Sequence, residues 1–291
     1  MTQMRPRIKD YDKLLTTIIE EAVKADLEVK FLKHLVYGEE GFAFPLLRSN
    51  SKKAKYTAFL VAGQHGDEYW SIDCLIHALS DLDKDLWNLF VVPAANPWGW
   101  AHTSRLTGDK KGSNWKVGER DTAELGLIFK SMPTKISLFI DIHGDKDETK
   151  AYIYERKLPG LDSLARLILN DTGSYFEVRN TKTVYRELCR QGVVNSGREG
   201  TLEEYAYEKR GATYSLTLEI PGRVSGTGVN QIAGGARMIV AALNNFERAL
   251  GKGVKIEPER KILMDNGGSV KLVEPQEKRN ESPIVDNKTA S

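Results

Sequence analysis

Apolar residues at Leu14, Leu15, Ile18, Ile19 and Val23 recur at helical spacing behind Asp10, and this predicts an amphipathic first helix capped by that aspartate. Two strand-like runs, VKFLKHLVY and GFAFPLL, flank a GEEG turn, and Pro45 assigns the second to a sheet edge. AKYTAFLVAG predicts a further strand, EYWSIDCLIHALSDL a helix, LWNLFVVPAANP a strand running into a loop, and TAELGLIFKSM another helix. KISLFIDIHG is an unbroken apolar run that stops at polar residues, the pattern of a strand buried on both faces. LPGLDSLARLILNDTG then reads as helix, ATYSLTLEIPG as a second buried strand, and VNQIAGGARMIVAALNNFERALG as a helix. Strands alternating with helices predict a single-domain α/β fold, with a mixed, mostly parallel central sheet flanked by helices on both faces. The expected organisation is a helix and lead-in over 1–30, a main body over 31–255, and a small hairpin followed by a disordered tail over 256–291.

Composition narrows the partners. The chain has 291 residues, of which 41% are hydrophobic and 28% charged, an ordinary globular balance. A net charge of +2 gives no electrostatic case for nucleic acid or membrane, and no run approaches the length of a membrane span. The first 23 residues lack the unbroken apolar stretch of a secretory signal. Cys74 and Cys189 are the only cysteines and are read as buried thiols, so the expected compartment is the cytoplasm.

Chemistry enters at the polar strand ends. In open α/β sheets, ligands bind at the carboxyl ends of strands. Three apolar runs end in capable residues: His65 with Glu68, Asp141 with His143, and Glu219. Each motif alone is a common surface pattern, a satisfied hydrogen-bonding pair or an exposed strand terminus, and only their convergence carries weight. A catalytic zinc site uses three His or Glu ligands and keeps one position open, a set that His65, Glu68 and His143 would supply. Gly63 and Gly66 are read as letting the backbone bend so that residues three apart aim at one point. Glu219 is then the free carboxylate for proton transfer, and Asp141 a group that orients a ligand histidine.

The order GQHGDE, NPWGWAHTSR, FIDIHG, YSLTLEIPG resembles the zinc carboxypeptidase family, the carboxypeptidase A type of metallopeptidase, over about residues 57 to 250. The resemblance implies that fold, one Zn²⁺ per chain held by His65, Glu68 and His143, and Glu219 as general base. It also implies that Arg105 polarises the carbonyl and stabilises the oxyanion. KKGSNWKVG resembles a stretch whose Asn-Arg pair grips the substrate's terminal carboxylate. Asn114 is preserved, whereas Ser113 stands where the arginine is expected, with Lys111, Lys116 and Arg120 as candidate replacements. Glu203 or Glu204 falls near the position that selects the substrate side chain, with a solvated turn carboxylate or helix cap as the alternative. The family's mobile tyrosine has no counterpart in VVNSGREG; Tyr185 is the nearest substitute and is read first as a packing residue.

The short spacing from Glu68 to His143 resembles the compact branches, which include cell-wall-peptide peptidases and deacylases of the succinylglutamate desuccinylase and aspartoacylase type. The expectation is therefore a cytoplasmic zinc hydrolase of an amide bond in a small peptide or peptide-like substrate. The alternatives are an N-acyl amino acid deacylase and an inactive binding protein on the same scaffold.

Overall fold

Asp10 accepts a hydrogen bond from the Lys13 backbone N–H and starts α1 (Tyr11–Lys24). The buried face is Tyr11, Leu14, Ile18 and Ala22, whereas Val23, expected inside, is 67% exposed. Val23 falls one position beyond the stripe that Ala22 completes. The computed structural model describes residues 9–49, 51–112, 122–222, 228–251, 263–264 and 270–271. The chain divides into two units, 1–253 and 254–291.

In the first unit, β1 (Glu28–Tyr37) and β2 (Glu40–Arg48) form an antiparallel hairpin with a register shift between Phe31 and Lys33. Leu47 and Arg48 of β2 also pair with the fourth strand, so β2 is interior and β1 is the edge. This corrects the expected edge position of β2. Pro45 is tolerated because it faces Phe31 at the irregularity, where a ladder donor is dispensable. β3 (Tyr56–Ala62), α2 (Trp70–Ala78) and β4 (Trp87–Val92) follow, then a short α3 (Pro97–His102) and α4 (Ala123–Ser131). β5 (Leu138–Asp145) is the apolar run ending in DIHG. β6 (Tyr152–Lys157), α5 (Leu164–Asp171), β7 (Thr183–Val184), β8 (Glu187–Arg190) and β9 (Val193–Asn195) come next. α6 (Leu202–Arg210), β10 (Tyr214–Pro221), α7 (Gly228–Asn244) and α8 (Phe246–Leu250) complete the unit.

The ten strands form one mixed sheet in the order β1-β2-β4-β3-β5-β10-β6-β9-β8-β7. The mostly parallel sheet expected from the sequence is corrected: five of the nine described ladders in this sheet are antiparallel, and parallel pairing is confined to the central block β4-β3-β5-β10 and the β6–β9 pair. β10 fills the position between β5 and β6, so these two strands, consecutive along the chain, are not neighbours.

Helices cover both faces. α2 and α7 pack together on one face, where any side chain at Gly235 would collide with Cys74 and Ile220. α6 packs over β5 and β10 on the other face. Cys74 and Cys189 are both buried and free. No described helix is long and apolar enough to cross a membrane. In the second unit, β11 (Leu263–Met264) pairs antiparallel with β12 (Val270–Lys271). The tail expected after this hairpin lies outside the described residues.

Candidate metal centre

The turn after β3 is shaped by two glycines acting differently. Gly63 has φ +72°, a left-handed conformation that side chains disfavour. Gly66 has an ordinary φ but lies against the Gly99 backbone, where a Cβ would come within 1.9 Å of the carbonyl carbon. Close approach, not the expected bend, requires glycine there. Asn96 fastens the arrangement. It is fully buried, accepts from the Gly99 N–H at 2.8 Å as the cap of α3, and donates to the carbonyls of Gln64 (3.3 Å) and Leu106 (3.2 Å). One side chain thus ties the turn carrying His65 to the loop carrying Arg105.

His65, Glu68 and His143 meet, with one donor atom from each within 4.8 Å of the others. His65 Nδ1 is 2.8 Å from Glu68 Oε1, and His143 Nδ1 is 3.1 Å from Glu68 Oε2. The Gly144 N–H also donates to Glu68 Oε2 at 3.1 Å. Asp141 Oδ2 lies 3.1 Å from His143 Nε2, so that nitrogen is engaged and Nδ1 is left to face the cluster. All four side chains are buried.

The register of β5, β10 and β6 sets His143, Glu219 and Tyr152 side by side, with Asp141, Thr217 and Tyr154 as the next row. Glu219 therefore stands one strand from His143 and lines the same cleft, of about 460 Å³. The donor set of two imidazoles and a carboxylate, with Asp141 holding the far nitrogen of one imidazole, fits a zinc-like ion.

No family model and no curated protein matches the sequence. Solved structures do match. A candidate metallopeptidase from Shewanella amazonensis superposes with a TM-score of 0.71 at 22% identity, covering 81% of this chain and 93% of that one. Another from Shewanella denitrificans gives 0.68 at 17%, covering 84% and 98%. A metallo-carboxypeptidase from Pseudomonas aeruginosa, in complex with (2-guanidinoethylmercapto)succinic acid, gives 0.59 at 18%, covering 81% and 69%. The chain has a metallo-carboxypeptidase-like fold.

On this carboxypeptidase-like scaffold the charges are strongly coupled. Burial pushes the His65 pKa down, against the pull of Glu68. Burial also disfavours a charged His143, but Asp141 and Glu68 outweigh it and hold that pKa well above the ordinary value. Glu68 resists its own burial because both histidines hydrogen-bond to it, and its pKa is well below the usual carboxylate range. Glu219 is pushed up by desolvation and by the nearby carboxylates, with His143 opposing.

Arg105 reaches the cluster, donating to Glu68 Oε1 at 2.6 Å and lying 3.0 Å from His65 Nδ1, with half of its side chain exposed. Glu203 lines the cleft floor almost fully buried; Thr217 Oγ1 donates to its Oε2 at 3.0 Å, and Arg156 Nε lies 3.2 Å from its Oε1. Burial pushes its pKa up to about 7, with Arg156 opposing. Glu204 instead accepts from the Gly200 N–H just ahead of α6, whose cap is Thr201.

Tyr185 does not pack inside. It is 67% exposed at a left-handed turn between β7 and β8, lines the cleft, and lies within 3.4 Å of Asp145 Oδ2. Ser113, Asn114, Lys116 and Arg120 lie outside the described residues. The cleft also contains Tyr152, Tyr154 and Arg198, which the sequence reading does not single out. The alternating YIYERK run could have flagged the tyrosines as one strand face.

Proposed function

We propose that this chain is a cytoplasmic zinc-dependent hydrolase that cleaves an amide bond in a small peptide or peptide-like molecule. The observation that carries the reading is the juxtaposition of the His65–Glu68–His143 donor set with Glu219, one strand away along a single cleft. When bound, the ion would act as a Lewis acid that makes water nucleophilic and polarises the scissile carbonyl. His65, Glu68 and His143 would hold it, and Asp141 fixes the His143 ring through Nε2.

Glu219 takes the proton of the attacking water at its carboxylate and returns it to the departing amine nitrogen. Its place one strand from His143, lining the same cleft, suits this exchange. Arg105, at the edge of the donor set and half exposed, is the cation that would stabilise the developing oxyanion. Glu203, a buried acid lining the cleft, would favour a substrate with a basic group only in competition with Arg156, 3.2 Å from its Oε1.

The test is metal content of the purified full chain beside His65→Ala. About one zinc per chain, lost in the variant, supports the centre. Release of C-terminal amino acids compared with hydrolysis of N-acyl amino acids then separates the peptidase from the deacylase. No zinc in the wild type after zinc is offered, or no hydrolysis of either substrate class, overturns the hydrolase reading in favour of a binding protein; turnover unchanged by Glu219→Gln removes that residue from the mechanism.

A further inference from the structure

Asp67 stands between His65 and Glu68 in the turn that precedes α2, and the chemistry proposed above does not use it. Its side chain is only 15% exposed, and its Oδ1 is buried and accepts no hydrogen bond. A buried carboxylate oxygen left in this way costs free energy, so its position needs a reason.

Two cations stand beside it. Lys146 Nζ lies 3.6 Å from Oδ2, on a side chain just past β5 that is more than half exposed. Arg105 Nη1 lies 3.7 Å from Oδ1, too far for a hydrogen bond. The same Nη1 donates to Glu68 Oε1 at 2.6 Å, and Nη2 lies 3.0 Å from His65 Nδ1. Arg105 therefore rests on two of the three side chains that would hold an ion, with a second carboxylate close by.

The backbone keeps that second carboxylate in place. The Gly66 N–H donates to the Ser104 carbonyl at 2.9 Å, so the residue before Asp67 is tied to the residue before Arg105. Gly66 also lies against the Gly99 backbone, which holds the turn where it is. The movable part is the Arg105 side chain, half of which is exposed. A displacement of about 1 Å would bring its Nη1 within hydrogen-bonding distance of Asp67 Oδ1.

Charge decides when that displacement is favourable. A guanidinium and a divalent cation on one carboxylate repel each other, and water screens the repulsion poorly at a buried site. With no other acid at hand, Arg105 would either hold Glu68 against the ion or swing into solvent. Asp67 offers a third course, in which the guanidinium changes carboxylates and its charge stays beside the donor set.

We propose that Asp67 is the positioning residue of Arg105, taking the guanidinium over from Glu68 when that carboxylate ligates an ion. The proposal rests on the hydrolase reading for the centre itself, but zinc affinity measures it without turnover.

The experiment is a double-mutant cycle on the full-length chain, with zinc affinity read by chelator competition for the wild type, Asp67→Asn, Arg105→Ala and the two combined. Arg105→Ala should tighten zinc binding, because the competitor for Glu68 is gone. Asp67→Asn should weaken it about tenfold, the worth of one charge-assisted hydrogen bond. In the Arg105→Ala background the same change should cost less than about twofold, and Asp67→Glu alone should keep part of the wild-type affinity. The proposal is overturned if Asp67→Asn costs the same in both backgrounds, as a charge acting directly on the ion would. It is equally overturned if Asp67→Asn costs nothing, or if Arg105→Ala fails to tighten binding. Any of these outcomes in a chain that binds zinc leaves the hydrolase reading standing, whereas no zinc in the wild type overturns both.

Discussion

The central strands begin in one chemistry and end in another. At their amino ends, Tyr56 of β3, Trp87 of β4 and Tyr214 of β10 close around Phe246 of α8, with ring centres 4.9 to 5.7 Å apart. Phe246 and Trp87 are completely buried, and edge-on contacts of this kind add about 0.5–1.5 kcal/mol each beyond their area. At the carboxyl ends, the turn after β3 and the last residues of β5 and β10 bring together two histidines and three carboxylates, buried or partly so. Charges are expensive to bury, and here they are tolerated only by bonding to one another. The same strands therefore supply stability at one end and the proposed reactivity at the other, and the two should be separable by mutation.

The largest expected effect is at the reactive end. Glu219→Gln should lower kcat by about 10²–10⁴ while zinc content and melting temperature hold, which steady-state kinetics and metal analysis would check. Phe246→Ala makes the opposite cut: a loss of about 3–5 kcal/mol in urea unfolding, with kcat per folded molecule retained. If Phe246→Ala also abolished kcat in the folded fraction, the two ends would not be independent.

A pH series sharpens the contrast. The Glu203 pKa rises from 4.5 towards about 7 in the folded chain, so between those values the native state holds more protons than the unfolded one. Stability should thus fall as pH climbs through that window, by up to about 3 kcal/mol. Glu203→Gln should flatten the slope, read from urea midpoints at each pH. The smallest effect is at Asp141, where Asp141→Asn should weaken zinc binding about 10–100-fold through the His143 ring, as measured by chelator competition.

What could be read in the sequence follows the same division. β3, β5 and β10 are long, buried on both faces and end abruptly in polar residues, so the runs and their terminal chemistry stand out together. His65 and Glu68 are three apart, and His143 closes an apolar strand; each carries a local signal. Arg198 carries none. It lies in a loop, and its place in the cleft is set by Glu187 and Tyr154, 11 and 44 residues away. Tyr185 looked like a core aromatic because exposure at a left-handed turn is not written in residue type. Strands β7, β8 and β9, of two to four residues, are too short to show a period. Pro45 misled for a related reason: the bulge that accommodates it belongs to the partner strand.

The place of β10 between β5 and β6 also bears on how the molecule is made. When β5 and β6 have both been synthesised, the position between them must still wait for a strand more than fifty residues further along. Pairings that distant close slowly, because the intervening chain must first give up its freedom. Glu219 rides on that late strand. A nascent chain can carry His65, Glu68 and His143 for some time before the residue proposed to move the proton arrives, so hydrolytic competence would be among the last properties acquired during folding.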